Sequence, residues 1–313
     1  VVLFSINFMA VNVPMPAGFD SLTLYANLPA LIGQHHGLVE GFQPYNWSLL
    51  MSLGHVLFGS TEVSLALSYL GGALSAYAMY VLCRSWLKIN VNYSLLAVLV
   101  FSLTPSVIIQ SSAELKVDLG LLFIYLSIIL LGLNYLLNIF DPVENKNKPA
   151  VESRLNPGEP ELIWMGLLSG FSLGIKLTTL YFAFALICAL WFARSGKRGF
   201  FAAFLTCMFL VFLLKIDEFA GLREYHIGVD KLKWGILLAA IFLTIGLWLE
   251  NKKALLINLR STALYLAFFV LPFLPWMVKN YMETQSFSPD KLMNGKQASP
   301  EINLEILERN LKK

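Results

Sequence analysis

Eight apolar runs leave this chain few folds to choose from: 1–13, 62–83, 91–110, 119–140, 162–193, 199–215, 234–249 and 261–278, joined by charged connectors. The runs are rich in Leu, Phe, Ala and Ile and show no alternating period, so they predict helices and not barrel strands. Hydrophobic residues make up 57% of the chain and charged ones only 14%, with a mean hydropathy of +0.65. A water-soluble domain needs about a quarter charged residues to cover its surface. The chain therefore reads as all-α, a polytopic transmembrane helical bundle. Its net charge of +3 is dispersed and offers no basic face for nucleic acid. Cys83, Cys188 and Cys207 sit in or at the ends of apolar runs, without metal-ligand spacing, as small buried hydrophobes do.

Charge in the connectors predicts the orientation. Placing residues 14–61 outside puts eleven basic residues inside: Arg84 and Lys88, then Lys146, Lys148 and Arg154, then Arg194, Lys197 and Arg198, then Lys252, Lys253 and Arg260. The outside then holds six before Trp276, namely Lys116, Lys176, Lys215, Arg223, Lys231 and Lys233. That imbalance follows the positive-inside rule. Both flanks of run 162–193 are inner ones, so the run is expected to go out and back with its apex near Gly174-Ile175-Lys176. Legs of about 14 residues cover only about 21 Å of a roughly 30 Å core. Lys176 then lies near lipid-phosphate depth. The alternative is one long, tilted helix with Lys176 snorkelling. The run 1–13 is too short for a span, so its helix is expected to start upstream. Residues 1–285 form the expected transmembrane part, and 286–313 a polar segment with a short helix from about Pro300.

The first outer connector, through Glu40 and Asn46, carries no Lys or Arg for about forty residues. In Gly18-Phe19-Asp20-Ser21-Leu22, Asp20 stands where a membrane helix meets water, a costly place for a carboxylate and hence a candidate site. Asp20 also suits the cap of an interfacial helix reaching about Ile32. A second interfacial helix is expected over Trp47–Phe58, the two roofing a cavity. In Glu114-Leu115-Lys116-Val117-Asp118, the two carboxylates share a face if the segment is helical, as a general base and its orienting partner require. Local pairing of Glu114 with Lys116 is the plainer reading. Tyr45, Asn46 and Trp47 suit sugar recognition by stacking and amide hydrogen bonds, although interface anchoring explains Trp47 equally well. His35-His36 near Asp20 raises divalent-metal binding, against which adjacent histidines usually point apart. Lys279, after Pro275-Trp276, falls at headgroup height. The mixed-charge loop from Asp217 to His226 reads as solvated.

Taken together, Gly18 to Tyr25, Gln43-Pro44-Tyr45-Asn46-Trp47, Ala113 to Leu119, Gly170 to Thr178, and Pro275-Trp276 with Lys279-Asn280-Tyr281 resemble the GT-C superfamily of integral-membrane glycosyltransferases. The nearest likeness is to bacterial members related to protein O-mannosyltransferases and the lipid A aminoarabinose transferase. The resemblance implies a GT-C-like bundle in the bacterial inner membrane, with its active site on the periplasmic face. The implied activity is transfer of a sugar from a polyprenyl-phosphate carrier to an acceptor hydroxyl, with inversion. Asp20 matches the family's catalytic base and Asp118 its second acidic position. Lys176, with Lys116 and Lys279 behind it, would stabilise the departing lipid phosphate. A divalent metal is left open, with Asp20, Asp118 and His35 as its ligands. Two other classes compete: a non-catalytic GT-C-like scaffold subunit with membrane-complex partners, and a secondary transporter. A transporter is expected to show matched halves with ionisable sites at the midplane, and neither is visible here.

Overall fold

The computed structural model describes residues 25–35, 37–39, 44–112, 114–140, 158–213, 229–287 and 291–292. Asp20, the loop 214–228 and the helix expected from Pro300 lie outside the described residues. Every regular element among those described is helical: α1 Asn27–His35, α2 Asn46–Phe58, α3 Glu62–Val81 with a π turn over Leu82–Trp86, α4 Val91–Leu103, α5 Pro105–Ser112, α6 Asp118–Phe140, α7 Glu159–Leu173, α8 Thr179–Leu213, α9 Val229–Val270 and α10 Leu274–Thr284. Four of these helical stretches, Glu62–Trp86, Asp118–Asn138, Thr179–Leu213 and Lys233–Val270, are long and apolar enough to cross a membrane. A bent pair, α4 with α5, makes a fifth if counted as one span. The bend of 68° falls where Thr104 (ψ 127°) is extended, as the residue before Pro105 prefers to be. The chain divides into two compact units, one reaching Asn134 and one from Tyr135 that also takes Gly41–Pro44.

In the first unit, α1 packs on α2 and α2 on α3. The α2 end is a glycine cap: Gly59 (φ 65°) is left-handed and its N–H donates to the His55 carbonyl at 3.1 Å. Small residues on one face of α3 let α6 approach closely. A Cβ on Gly71 would come within 2.8 Å of the Gly120 nitrogen. Ser75 Oγ donates to the Leu119 carbonyl at 2.9 Å, and Ser64 Oγ to that of Met51 at 2.9 Å. In a bilayer, where lipid tails are as apolar as Leu, such close contact is what holds helices together.

In the second unit, α7 stops at Leu173 and α8 starts at Thr179, the break expected near Lys176. Contacts give the directions. Gly166 lies against Tyr265, and Gly170 against Phe269 and Pro272, so α7 runs parallel to the end of α9. A Cβ on Gly170 would meet the Phe269 carbonyl oxygen at 2.0 Å, so only Gly fits. Going the other way, Trp191 Nε1 donates to Thr262 Oγ1 at 2.9 Å, Arg194 Nη1 to Ser261 Oγ at 2.8 Å, and Asn258 Nδ2 to Ser195 Oγ at 2.9 Å. The start of α8 is therefore antiparallel to the same arm of α9, and hence to α7. The chain goes out and back, and the single tilted helix is ruled out.

α8 itself doubles back at Gly196, whose φ of 60° and ψ of −153° belong to a region only Gly occupies readily. The missing Cβ of Gly199 would stand 2.6 Å from the Trp191 carbonyl oxygen, and the Phe192 and Phe200 rings are 6.4 Å apart. The thiols of Cys188 and Cys207 share a hydrogen bond across the hairpin. The second arm of α8 then meets α9 through the Arg198–Glu250 ion pair and the Phe209–Trp234 ring contact at 6.3 Å. That order is antiparallel too, so α9 must also reverse. It does so at Asn251 (φ −149°, ψ 77°), whose Oδ1 accepts from the Ala254 N–H at 3.0 Å and caps the returning arm. Both reversals fall within basic clusters, Arg194–Arg198 and Lys252–Lys253. The outward faces are apolar, with Leu238, Phe242 and Leu249 among the most exposed side chains.

The hairpin predicts that a short bifunctional thiol reagent bridges Cys188 and Cys207 within one chain, read by intact mass after proteolysis. An unbroken helix would hold them about 28 Å apart, beyond the reach of such a reagent, and no bridge would form.

Candidate functional site

The turn carrying Glu114 to Asp118 departs from the expected helix. α5 ends at Ser112, residues 114–117 are not helical, and α6 begins at Asp118, so Glu114 and Asp118 do not share a helical face. The cause is packing: Leu115 is fully buried and Val117 nearly so, which holds the segment out of a helix. Ser68 Oγ donates to the Lys116 carbonyl at 3.4 Å. Glu114 pairs with Lys116 at 3.3 Å, the plainer of the two readings. Asp118 is half-buried in the first turn of α6, where the helix dipole favours its negative charge.

Tyr45, Asn46 and Trp47 are all buried. The Tyr45 hydroxyl accepts from the Val39 N–H at 2.7 Å. The Trp47 ring covers Gly120 so closely that a Cβ there would come within 2.4 Å of it. These side chains hold α2 against the start of α6, which leaves little of the Trp47 ring for stacking on a sugar. His55 on α2 has its Nε2 buried without a partner, and burial lowers its pKa. Asp20 and the His35 side chain lie outside the described residues, and no three His, Cys, Asp or Glu side chains converge among those described.

Lys176 occupies the turn between α7 and α8 and is half-buried. The turn is tight: the Ser172 carbonyl accepts from the Ile175 N–H at 2.9 Å, the Lys176 N–H at 3.0 Å and Thr179 Oγ1 at 3.0 Å. It lies beyond Gly170, which touches Pro272, so Lys176 and the start of α10 are at the same end of this unit. α10 is amphipathic in an unusual sense. Leu274, Val278 and Met282 face outward, 45%, 51% and 68% exposed, while Trp276, Lys279, Asn280 and Glu283 face inward. Lys279 Nζ pairs with Glu283 Oε1 at 2.6 Å, with side-chain exposures of 9% and 11%. Ionisable groups turned away from an apolar outer face mark a functional interior more often than a structural one. Glu283 lies past the last apolar run and was not among the candidates, although the 274/278/282 spacing could have found it.

At the opposite end of the same unit, Arg194 Nη2 donates to the Tyr135 hydroxyl at 2.6 Å, and that hydroxyl lies 2.9 Å from Ser261 Oγ. Asn138 Nδ2 donates to Glu161 at 2.7 Å, and Arg260 pairs with Glu159. This network is fully engaged within the protein and reads as a clasp. Compared with known proteins, the chain matches no family model, no curated protein and no solved structure.

His55 carries a pH prediction. Because burial holds its folded pKa below the ordinary 6.5, the unfolded chain binds the proton first. The stabilisation is complete above pH 6.5 and lost as pH falls through the lowered folded value. The melting temperature of the detergent-solubilised protein should drop below that pH more steeply than in His55→Gln; equal slopes would remove His55 as the cause.

Proposed function

We propose that this chain is a polytopic glycosyltransferase of the bacterial inner membrane, GT-C-like, moving a sugar from a polyprenyl-phosphate carrier to an acceptor hydroxyl on the periplasmic face. The observation that carries this reading is the turn at Lys176. α7 has 15 residues, so it reaches about 22 Å, short of a roughly 30 Å hydrocarbon core. The basic reversals at the other end of the unit support reading the Lys176 turn as an outer one, near phosphate depth. A cation held there by a tight turn suits the growing charge of a departing lipid phosphate. Lys116 and Lys279, which pair with Glu114 and Glu283 at 3.3 and 2.6 Å, stand behind it as further cations for the carrier phosphate.

In this reaction Asp20 takes the proton from the acceptor hydroxyl as its oxygen attacks the anomeric carbon. The bond to the carrier phosphate breaks on the opposite side, so the configuration inverts. Asp118, at the N-terminus of α6, orients the base or the acceptor.

Native mass spectrometry with undecaprenyl phosphate tests the proposal. Wild type should bind one carrier, Lys176→Ala should bind about tenfold more weakly as a charge-assisted contact is lost, and Asp20→Asn should bind like wild type. Weak binding, equal in all three and matched by phosphatidylglycerol, would leave the scaffold reading in its place.

A further inference from the structure

The inward face of α10 has an unmet need that its ion pair does not fill. Asn280 is fully buried, and its Nδ2 donates to the Leu292 carbonyl at 2.9 Å, which fixes the amide orientation. Its Oδ1 is left buried with no donor. Both carboxylate oxygens of Glu283 are likewise buried and, apart from the ionic contact of Oε1 with Lys279, accept no hydrogen bond. Two acceptor oxygens, Asn280 Oδ1 and Glu283 Oε2, thus lie one turn apart on one helix face without a donor, while Oε1 meets Lys279 alone. A buried acceptor left bare costs about 1–3 kcal/mol, and a buried ion pair offsets its desolvation only when further hydrogen bonds complete it. Among the described residues no donor meets these two oxygens.

Glu283 already carries its ionic contact with Lys279. Neutral donors would meet the remaining acceptors without adding charge to this buried face. A ligand supplying O–H groups at adjacent positions does that, and the Trp276 ring, whose centroid is 6.0 Å from Lys279 Nζ, adds an apolar wall. We infer that Asn280 Oδ1 and the Glu283 carboxylate form a hydroxyl-accepting subsite that holds the glycosyl unit of the donor through its ring hydroxyls. This inference rests on the carrier reading above for the donor, although the subsite itself recognises only the sugar.

Two binding measurements in an amine-oxide detergent, which carries no sugar of its own, test it. Native mass spectrometry compares undecaprenyl phosphate with undecaprenyl-phosphate hexoses. Wild type should prefer at least one glycosylated carrier by about tenfold per acceptor engaged. Asn280→Ala should abolish that preference while bare-carrier binding changes less than about twofold, and Glu283→Gln should abolish the preference as well. Saturation-transfer NMR with a panel of methyl glycosides reads the sugar without lipid or phosphate, and its signal should vanish in Asn280→Ala. If Asn280→Ala does not fold, Glu283→Gln, which keeps the size and shape of the native side chain, should still lose the preference. Failure of bare carrier to bind, with a glycoside signal that Asn280→Ala removes, would refute the carrier reading and support the subsite. Carrier binding with no gain from any sugar, or a preference unaltered in both variants, would overturn the subsite.

Discussion

Close backbone contact through small residues is the constraint on which both units depend. Gly166 and Gly170 seat α7 on the returning arm of α9, and Gly71 seats α3 on Gly120. Bilayer-embedded helices gain little from hiding apolar side chains, because lipid hides them as well. Dispersion contact at short range and serine-to-carbonyl hydrogen bonds must supply the association instead. Ser64 and Ser75 supply the latter in the first unit, and the glycine pair supplies the former in the second. Large apolar side chains are then left over for the outer faces, where Phe242 and Leu249 are largely exposed, while others such as Ile128 and Tyr265 fill the interior.

Much of the helical plan was legible because length and charge leave few choices. Runs of apolar residues set the helices, and basic clusters marked the reversals at Gly196 and Asn251 before any contact was known. The short legs of run 162–193 pointed to the turn at Lys176. The turn at 114–117 was not legible, because the burial of Leu115 and Val117 overrides the helical spacing that would pair Glu114 with Asp118. The burial of Tyr45 and Trp47 was not legible for a related reason: an aromatic residue in a polar loop reads as a binding platform or an interface anchor, yet Gly120 opens a slot that the Trp47 ring fills. Only the partner's missing side chain explains that placement, and it lies more than seventy residues away in sequence.

The candidate site divides in the same way. Lys176 and Lys279 could be named from their positions at helix ends. Glu283 and Asn280 could not, since polarity beyond the last apolar run reads as solvent-facing. Their inward placement follows from the outer stripe of Leu274, Val278 and Met282. A polar helix next to a membrane should therefore be judged by where its few apolar residues lie.

The clasp at Tyr135, Arg194 and Ser261, with Asn258 on Ser195, Arg198 on Glu250 and Arg260 on Glu159, gathers helix ends at one pole of the second unit. The opposite pole, with the Lys176 turn and the start of α10, is bound by single turns. The polar side chains of this unit are thus sorted by position: those at one pole tie four helices to one another, and those at the other belong to a single turn and a single short helix.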